Sequence, residues 1–135
     1  MFAVNRAARR FEILTTQVLA ADELSFIEGL VLAALFFEAP QPVKPSHLAE
    51  AFGTTRGNIS HCVSSLEAAG LIQRKIDPQD ARAYLLTLKP QGKKCAMRVI
   101  GAFDKLQKEF EDELGKAALG DMLKSLRKLE AIFVK

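Results

Sequence analysis

The chain has 135 residues, of which 49% are hydrophobic and 26% are charged, a balance that is ordinary for a soluble globular domain. No apolar run approaches the ~20 residues that a transmembrane helix needs, so we expect no membrane partner. The arginine-rich start lacks the apolar core of a signal peptide, and two cysteines are too few to suggest a disulfide framework. We therefore expect a single domain over residues 1–135 that works in the cytoplasm with free thiols.

The formal net charge of +3 names no partner, but the charged side chains are unevenly distributed. Residues 12–55 carry one basic and six acidic side chains, whereas residues 56–94 carry seven basic and three acidic ones. A basic segment beside an acidic one favours a face that binds a polyanion. Chance clustering explains this pattern about equally well, so the interpretation depends on the elements that carry the charges.

The first part of the chain has the apolar spacing of two helices. Apolar side chains recur every three or four positions over residues 4–20, which predicts a first helix. Ser25 and Glu28 have the spacing of a capping box, in which each side chain accepts from the backbone N–H of the other residue, so a second helix begins after Ser25. Pro40 ends this helix, because the residue before a proline avoids helical geometry.

Two shorter helices follow, and the turn between them contains glycine. Pro45 suits the first position of a third helix, and Gly53 suits the left-handed residue that ends it. Thr54 or Thr55 then caps a fourth helix over residues 55–69. Two short helices separated by such a turn predict a helix-turn-helix.

The periodicity changes from helical to alternating after Gly70, which predicts two strands over residues 71–76 and 84–88. The turn-rich residues 77–83 lie between them and predict the loop of a hairpin, or wing. The expected fold is mainly α with a small β-hairpin wing. It is a winged helix-turn-helix core over residues 24–89, with N- and C-terminal dimerisation helices.

The terminal helices carry more apolar surface than a small winged core can cover. A long helix opens at Pro90 and is interrupted at Gly115, and a last helix follows to about Val134. Burial of these stripes between two subunits predicts a homodimer through residues 1–20 and 95–134, while an intramolecular bundle is the alternative. The expected dimerisation residues are Val4, Phe11, Leu119, Met122, Leu126, Leu129 and Phe133.

The fourth helix separates into two faces when its residues are placed at 100° intervals. The inward face carries Ile59, Cys62, Val63 and Leu66. The outward face has no acid and only short hydrogen-bonding side chains of poor helix propensity, which suits base edges in a major groove better than an ordinary solvated surface. The expected DNA-binding residues of this helix are Thr55, Arg56, Gly57, Asn58, Ser60 and His61.

The predicted wing supplies a second set of contacts. Arg82 lies near the hairpin tip, where a guanidinium can enter a narrow minor groove, and Asp80 has the spacing to pair with it and aim it. Arg74 and Lys75 on the preceding strand are expected to contact phosphates. The alternatives are an incidental ion pair on a solvated hairpin and an edge strand that its charges keep soluble.

On these residues the sequence resembles the MarR (multiple antibiotic resistance regulator) family over about residues 24–94. The similar stretches are LSFIEGLVLAAL, SHLAEAFG, TTRGNISHCVSSLEAAGLI, DPQDARAYLLTL and PQGK, of which the D-x-R wing is the most specific. The resemblance implies a homodimeric transcriptional regulator, with repression as the expected mode, that binds double-stranded operator DNA. Recognition helix 55–69 would enter the major groove and wing 77–83 the minor groove, and a small aromatic ligand would release the DNA.

Lys44 and Gly29 are among the positions at which the sequence departs from the family pattern. Lys44 stands where a small capping Ser or Thr usually precedes the third helix, which weakens that cap. Gly29 stands where an apolar aromatic residue is common, which would open space for a ligand near the base of the second helix. Arg9 or Arg10 could then supply the cation for a ligand carboxylate.

Enzymatic chemistry is not indicated by any motif. The two histidines and two cysteines lack metal-ligand spacing, and no phosphate-binding glycine loop is present, so we expect no catalytic residues, no metal and no cofactor. His61 and Cys62 are adjacent in sequence and therefore point to different faces of their helix, which makes a poor catalytic dyad. The alternative to a DNA-binding regulator is a winged-helix protein-interaction or ligand-binding module without sequence-specific DNA binding.

Overall fold

The computed structural model describes residues 1–133, so the predicted end of the last helix at Val134 lies outside the described residues. The chain divides into two compact units, residues 1–100 and the residues from Gly101 onward. In chain order the elements are α1 (Phe2–Val18), a 3₁₀ turn (Ala20–Asp22), α2 (Phe26–Glu38), α3 (Pro45–Ala51), α4 (Arg56–Ala68), β1 (Ile72–Asp77), β2 (Asp80–Leu88), α5 (Pro90–Leu114) and α6 (Lys116–Phe133).

The helix ends follow the predicted local signals. Ser25 Oγ accepts from the Glu28 backbone N–H at 3.2 Å, and Glu28 Oε1 accepts from the Ser25 N–H at 2.9 Å, which confirms the capping box of α2. Pro45 occupies the first turn of α3. Gly53 has a φ of 62°, which is the left-handed conformation expected after α3. These local contacts place α3 and α4 as a helix-turn-helix.

The core of the first unit lies between α2, α4, the hairpin and the start of α5. Its members are apolar side chains that lose nearly all contact with solvent, and their burial is the main driving force for folding. They include Leu19, Val31, Leu32, Ile59, Val63, Leu66, Ile72, Leu86 and Val99. The inward face of α4, Ile59, Cys62, Val63 and Leu66, is buried as predicted. The other face of α4 is therefore left for solvent or a partner.

The two strands form an antiparallel hairpin that differs from the prediction at its distal end. The first strand is Ile72–Asp77, one residue later than expected, and the second begins at Asp80 instead of residue 84. The connecting turn is therefore only Pro78 and Gln79. Pairing passes from Ile76–Tyr84 to Asp77–Asp80, so three residues of β2, Ala81 to Ala83, are bulged. The predicted loop 77–83 is thus a tight turn followed by a bulged strand.

Val43, an extended residue outside the two strands, pairs with β2 in a contact that the sequence did not predict. Val43 donates its N–H to the Leu86 carbonyl at 3.0 Å, and the Leu86 N–H donates back to the Val43 carbonyl at 2.8 Å. This pair lies directly before Lys44 and Pro45, so it fixes the start of α3 beside β2. A two-stranded hairpin is marginal by itself, and this extra pair anchors it.

The second unit contains the later part of α5, Gly115 with a φ of 80°, and α6. Leu106 and Leu119 are buried. The other expected α6 dimerisation residues are exposed or half-buried: Met122, Leu126, Leu129 and Phe133. Leu119 therefore differs from them, because it is covered within the single chain.

Residues 1–133 contain no helix that combines the length and apolarity needed to cross a membrane. Over the same residues, no three His, Cys, Asp or Glu side chains gather closely enough to hold a metal ion.

Candidate nucleic-acid interface

Helix α4 begins with a side-chain cap and presents a polar face. Thr55 Oγ1 accepts from the Asn58 backbone N–H at 3.0 Å, so Thr55, rather than Thr54, is the N-cap. The helix itself runs from Arg56 to Ala68, slightly inside the predicted range of 55–69. The DNA-binding residues predicted on this helix are all exposed, and Ser64 and Ser65 further along it are exposed too. Their exposure leaves them available to a ligand.

The outward face has two flanks with different neighbours. Arg56 and Ser60 line a cleft on the side of the hairpin. Asn58 and His61 line a second cleft of about 300 Å³ on the side of α2, which also includes Glu28. The Asn58 side chain donates to Thr54 Oγ1 at 2.8 Å, so it already has one partner. The carboxylate on the α2 side makes the hairpin side the better surface for a polyanion.

The cleft on the hairpin side has a volume of about 330 Å³ and is lined by three basic side chains. Arg56 comes from the start of α4, Arg82 from the bulge of β2, and Lys44 from the residue before α3. Hydroxyl groups of Ser46 and Ser60 and the ring of Tyr84 complete its polar lining. Three cations with hydroxyl donors form a suitable site for phosphate oxygens.

Lys44 is a functional candidate whose sequence position indicates only a weak helix cap. It makes no side-chain cap to α3. Its Nζ instead lies 4.0 Å from Oδ2 of Asp77, whose side chain is buried at the base of the hairpin turn. Asp77 Oδ1 also accepts from the Gln79 N–H at 2.9 Å, which closes the turn. Lys44 thus lines the cleft while it is held beside Asp77, a position that could be recognised only with the hairpin in place.

Arg82 is the most exposed cation of the hairpin. Its side chain is 97% exposed, and its Nε lies 3.8 Å from Asp80 Oδ1. Asp80 Oδ1 also accepts from the Arg82 backbone N–H at 3.0 Å. The structure thus places the predicted Asp80–Arg82 pair together, with Asp80 bracing the bulge and the guanidinium directed into solvent.

The other two basic residues predicted on the wing, Arg74 and Lys75, differ in their surroundings. Lys75 is exposed. Arg74 is only half-buried but is occupied by contacts within the chain: its Nη2 donates to Ser64 Oγ at 2.9 Å, and its guanidinium lies 4.8 Å from the ring centroid of Tyr84. Its Nε also lies 3.2 Å from Glu67 Oε1. These contacts leave Arg74 poorly placed for the predicted phosphate contact.

Both cysteines are buried, free thiols. Burial raises the pKa of Cys62, and the nearby Glu28 carboxylate raises it further. Burial likewise raises the pKa of Cys95, with Asp22 adding to the effect. A raised pKa reduces the thiolate fraction at neutral pH, which makes a thiol a poor nucleophile or oxidant sensor. A packing role accounts for both residues.

A separate cavity of about 650 Å³ lies where the end of α2 meets the end of β2 and the start of α5. Apolar side chains, uncharged polar side chains and two lysines line it, including Leu35, Phe36, Pro40, Gln41, Lys89 and Lys93. The predicted ligand residues Gly29, Arg9 and Arg10 are not in its lining. The space is therefore at the opposite end of α2 from the expected position.

The residues predicted for dimerisation on α1 differ from one another. Val4 is exposed. Phe11 is 40% exposed and makes an edge-to-face contact with Phe26 of α2, with ring centroids 5.6 Å apart. Phe11 thus contributes to the packing of α1 on α2 within one chain, and its exposed part remains available to a second chain.

The winged core and the whole fold have relatives. Residues 23–83 match a family model described as the MarR family. The S. aureus MepR–DNA complex is 20% identical, covers 98% of this chain and 96% of that chain, and has a TM-score of 0.89. The Sulfolobus solfataricus regulator BldR is 23% identical, with 97% and 91% coverage and a TM-score of 0.81.

A third similar structure is Bordetella bronchiseptica BpsR, whose DNA binding is regulated by 6-hydroxynicotinic acid. It is 21% identical, covers 96% of both chains and has a TM-score of 0.82. No curated protein matches the sequence. These likenesses confirm the predicted winged helix-turn-helix fold. The chain therefore has the fold of these structures, and its winged core, residues 23–83, is similar to the MarR family.

Proposed function

We propose that this chain is a cytoplasmic, homodimeric repressor that binds double-stranded operator DNA in a sequence-specific way. The observation that carries the proposal is the continuity between the exposed polar face of α4 and the cleft lined by Lys44, Arg56 and Arg82. A helix with short polar side chains fits the major groove, and a cation-lined cleft beside it fits the phosphates at the groove edge. MepR, which has the same fold, is known in complex with DNA.

In this proposal α4 reads bases and the hairpin reads the neighbouring minor groove. Arg56, Gly57, Asn58, Ser60 and His61 face the major groove, and Thr55 aligns the first-turn amides toward phosphate. Arg82, braced by Asp80, enters the minor groove, whose negative potential attracts an exposed guanidinium. Lys75 adds a phosphate contact from β1.

The wing contact can be tested with a single substitution. We expect Arg82→Ala to weaken operator binding by on the order of tenfold per half-site and to flatten any preference for flanking A·T pairs. The measurement is a titration of DNA obtained by selection from a random duplex pool, at physiological salt. Arg127→Ala on α6 is the charge-matched control, because it removes an exposed arginine far along the chain from the hairpin. Equal affinity of the Arg82 variant and wild type for DNA would show that the wing does not contact DNA.

A selection that recovers no sequence at all would favour the alternative, in which the fold binds a protein or a small molecule without sequence-specific DNA binding. The exposed face of α4 favours DNA over that alternative. Between residues 56 and 65 there is no acid, and the bulky apolar side chains of this stretch are buried.

We expect a symmetric dimer in solution. Val4 on α1 and Met122, Leu126 and Phe133 on α6 are exposed apolar side chains, and a second copy of the chain would cover them. Light scattering at micromolar concentration should give roughly twice the 14.9 kDa of one chain. Leu126→Glu should shift this mass toward the monomer, whereas Lys124→Glu, on the same helix, should not. A stable monomer of the wild-type chain would contradict the dimer.

Small-molecule control is proposed at the cavity beside the end of β2. Its volume of about 650 Å³ suits a small ligand, Phe36 and Leu35 offer apolar contacts, and Lys89 and Lys93 can pair with a carboxylate. BpsR, whose DNA binding responds to an aromatic acid, provides a precedent in this fold. A ligand here would bias the position of the wing, because the cavity is bounded by Thr87 and Leu88.

We expect aromatic carboxylates to weaken the DNA complex several-fold at matched ionic strength, and Lys93→Gln to abolish that response without changing affinity in its absence. Lys94→Gln is the control, since Lys94 is exposed one residue later and is not in the lining. A response that persists in the Lys93 variant would place the ligand elsewhere.

A further inference from the structure

Arg74 joins three elements of the winged core. It lies on β1 opposite Leu86, and its guanidinium reaches Ser64 and Glu67, which are one turn apart on α4. The same guanidinium lies 4.8 Å from the ring centroid of Tyr84 on β2. The Arg74 side chain on β1 thus contacts both β2 and α4.

The charge of Arg74 is already compensated. Its Nε is 3.2 Å from Glu67 Oε1, an ion pair without an aligned hydrogen bond, while Nη2 donates to Ser64 Oγ. A planar guanidinium can make these contacts and stack on an aromatic ring together, whereas a lysine ammonium cannot. Arg74 also differs from Arg82 in exposure, since its side chain is 31% exposed and that of Arg82 is 97% exposed, so Arg74 is the less accessible of the two to phosphates.

We propose that Arg74 is a positioning residue that sets the angle between the wing and the recognition helix, and not a phosphate contact. This inference rests on the proposed DNA binding. DNA presents its major and minor grooves at a fixed separation, so α4 and Arg82 bind together only when the hairpin is held at one angle to α4. The Arg74 contacts with Ser64, Glu67 and Tyr84 supply that restraint between the hairpin and α4, whereas the Val43–Leu86 pair holds β2 beside the start of α3.

Three substitutions separate positioning from charge. Arg74→Lys keeps the charge but loses the planar fork, Arg74→Gln loses both, and Glu67→Gln leaves Arg74 in place but removes its carboxylate partner. We expect Arg74→Lys and Glu67→Gln each to weaken operator binding about tenfold while the slope of log affinity against log salt stays at the wild-type value. Lys75→Gln is the matched control, for which the slope should fall by about one unit.

Glu67→Gln is decisive because the two roles predict opposite signs. If Arg74 positions the wing, loss of the carboxylate weakens binding. If Arg74 contacts phosphate, removing an acid beside it frees the cation and tightens binding. A tighter Glu67→Gln complex, or an Arg74→Lys variant that binds as wild type while Arg74→Gln loses one unit of slope, would overturn the proposal.

Footprinting supplies a readout that a general loss of stability would not produce. In the Arg74→Lys complex we expect protection of the flanking minor groove to disappear while protection of guanine N7 in the central major groove persists, at protein concentrations that saturate both complexes. Uniform loss of both protections in a folded variant would contradict a role in wing orientation. Wild-type protein that binds no DNA would instead refute the proposed function itself, so the two failures are distinguishable.

Discussion

Gly92→Ala should destabilise the protein by about 3 kcal/mol or more, because nothing at this position can yield to a new methyl group. A Cβ at Gly92 would overlap the Leu71 carbonyl oxygen and lie 2.7 Å from its carbonyl carbon, and both are backbone atoms. The Leu71 carbonyl is also held in place, since it accepts from the Lys89 N–H at 2.9 Å. The substitution would force the start of α5 away from the end of α4 and the hairpin.

The matched control is Gly101→Ala on the same helix. A Cβ at Gly101 meets no atom within 4 Å, so the substitution gains helix propensity at no steric cost and should stabilise by about 0.5–1 kcal/mol. Urea titration of both variants beside wild type gives the comparison. Equal midpoints for the Gly92 variant and wild type would mean that α5 does not begin in contact with Leu71.

Features that depend on neighbouring residues were predictable from the sequence. The capping box at Ser25 and Glu28, the proline that opens α3 and the glycine that ends it each act within a few residues, so local chemistry determines them. The inward face of α4 was predictable for a related reason, because a helix of known period assigns every apolar residue to one side.

Features that depend on pairing across the chain were not predictable. Residues 80–83 are Asp, Ala, Arg and Ala, which have no strand propensity of their own, and they become part of β2 only because β1 lies beside them. Lys44 looked like a poor cap until the buried carboxylate of Asp77 was found next to it. Arg74 and Lys75 look equivalent in sequence, yet alternation along β1 turns only Arg74 toward α4.

The same distinction explains the residues expected at the dimer interface. Leu119 belongs to the stripe that includes Leu126 by helical spacing, but it is buried in the chain whereas Leu126 is exposed. Periodicity identifies which residues share a face, and packing decides which part of that face is already covered.

The two faces of α4 should separate stability from sequence preference. Ile59 and Leu66 are 0% and 1% exposed, so Ile59→Ala or Leu66→Ala leaves a cavity and should cost about 2–5 kcal/mol of unfolding free energy. Asn58 and His61 are exposed, so Asn58→Ala and His61→Ala should change that free energy by no more than about 0.5 kcal/mol. The Asn58 side-chain bond to Thr54 does not alter this expectation, since both groups can bond to water instead.

DNA binding should show the opposite pattern, in which the exposed residues alter sequence preference and the buried residues do not. Asn58 can bond an adenine edge with its amide, and His61 can donate or accept one bond to a base, so each alanine variant should change the preferred base at a defined position of the selected site. The Ile59 variant, where it remains folded, should prefer the same bases as wild type. Binding-site selection and urea titration on all four variants provide the measurements. If the Asn58 and His61 variants select the wild-type sequence unchanged, the outward face of α4 does not read bases, and if they unfold the protein, that face is not the outward one.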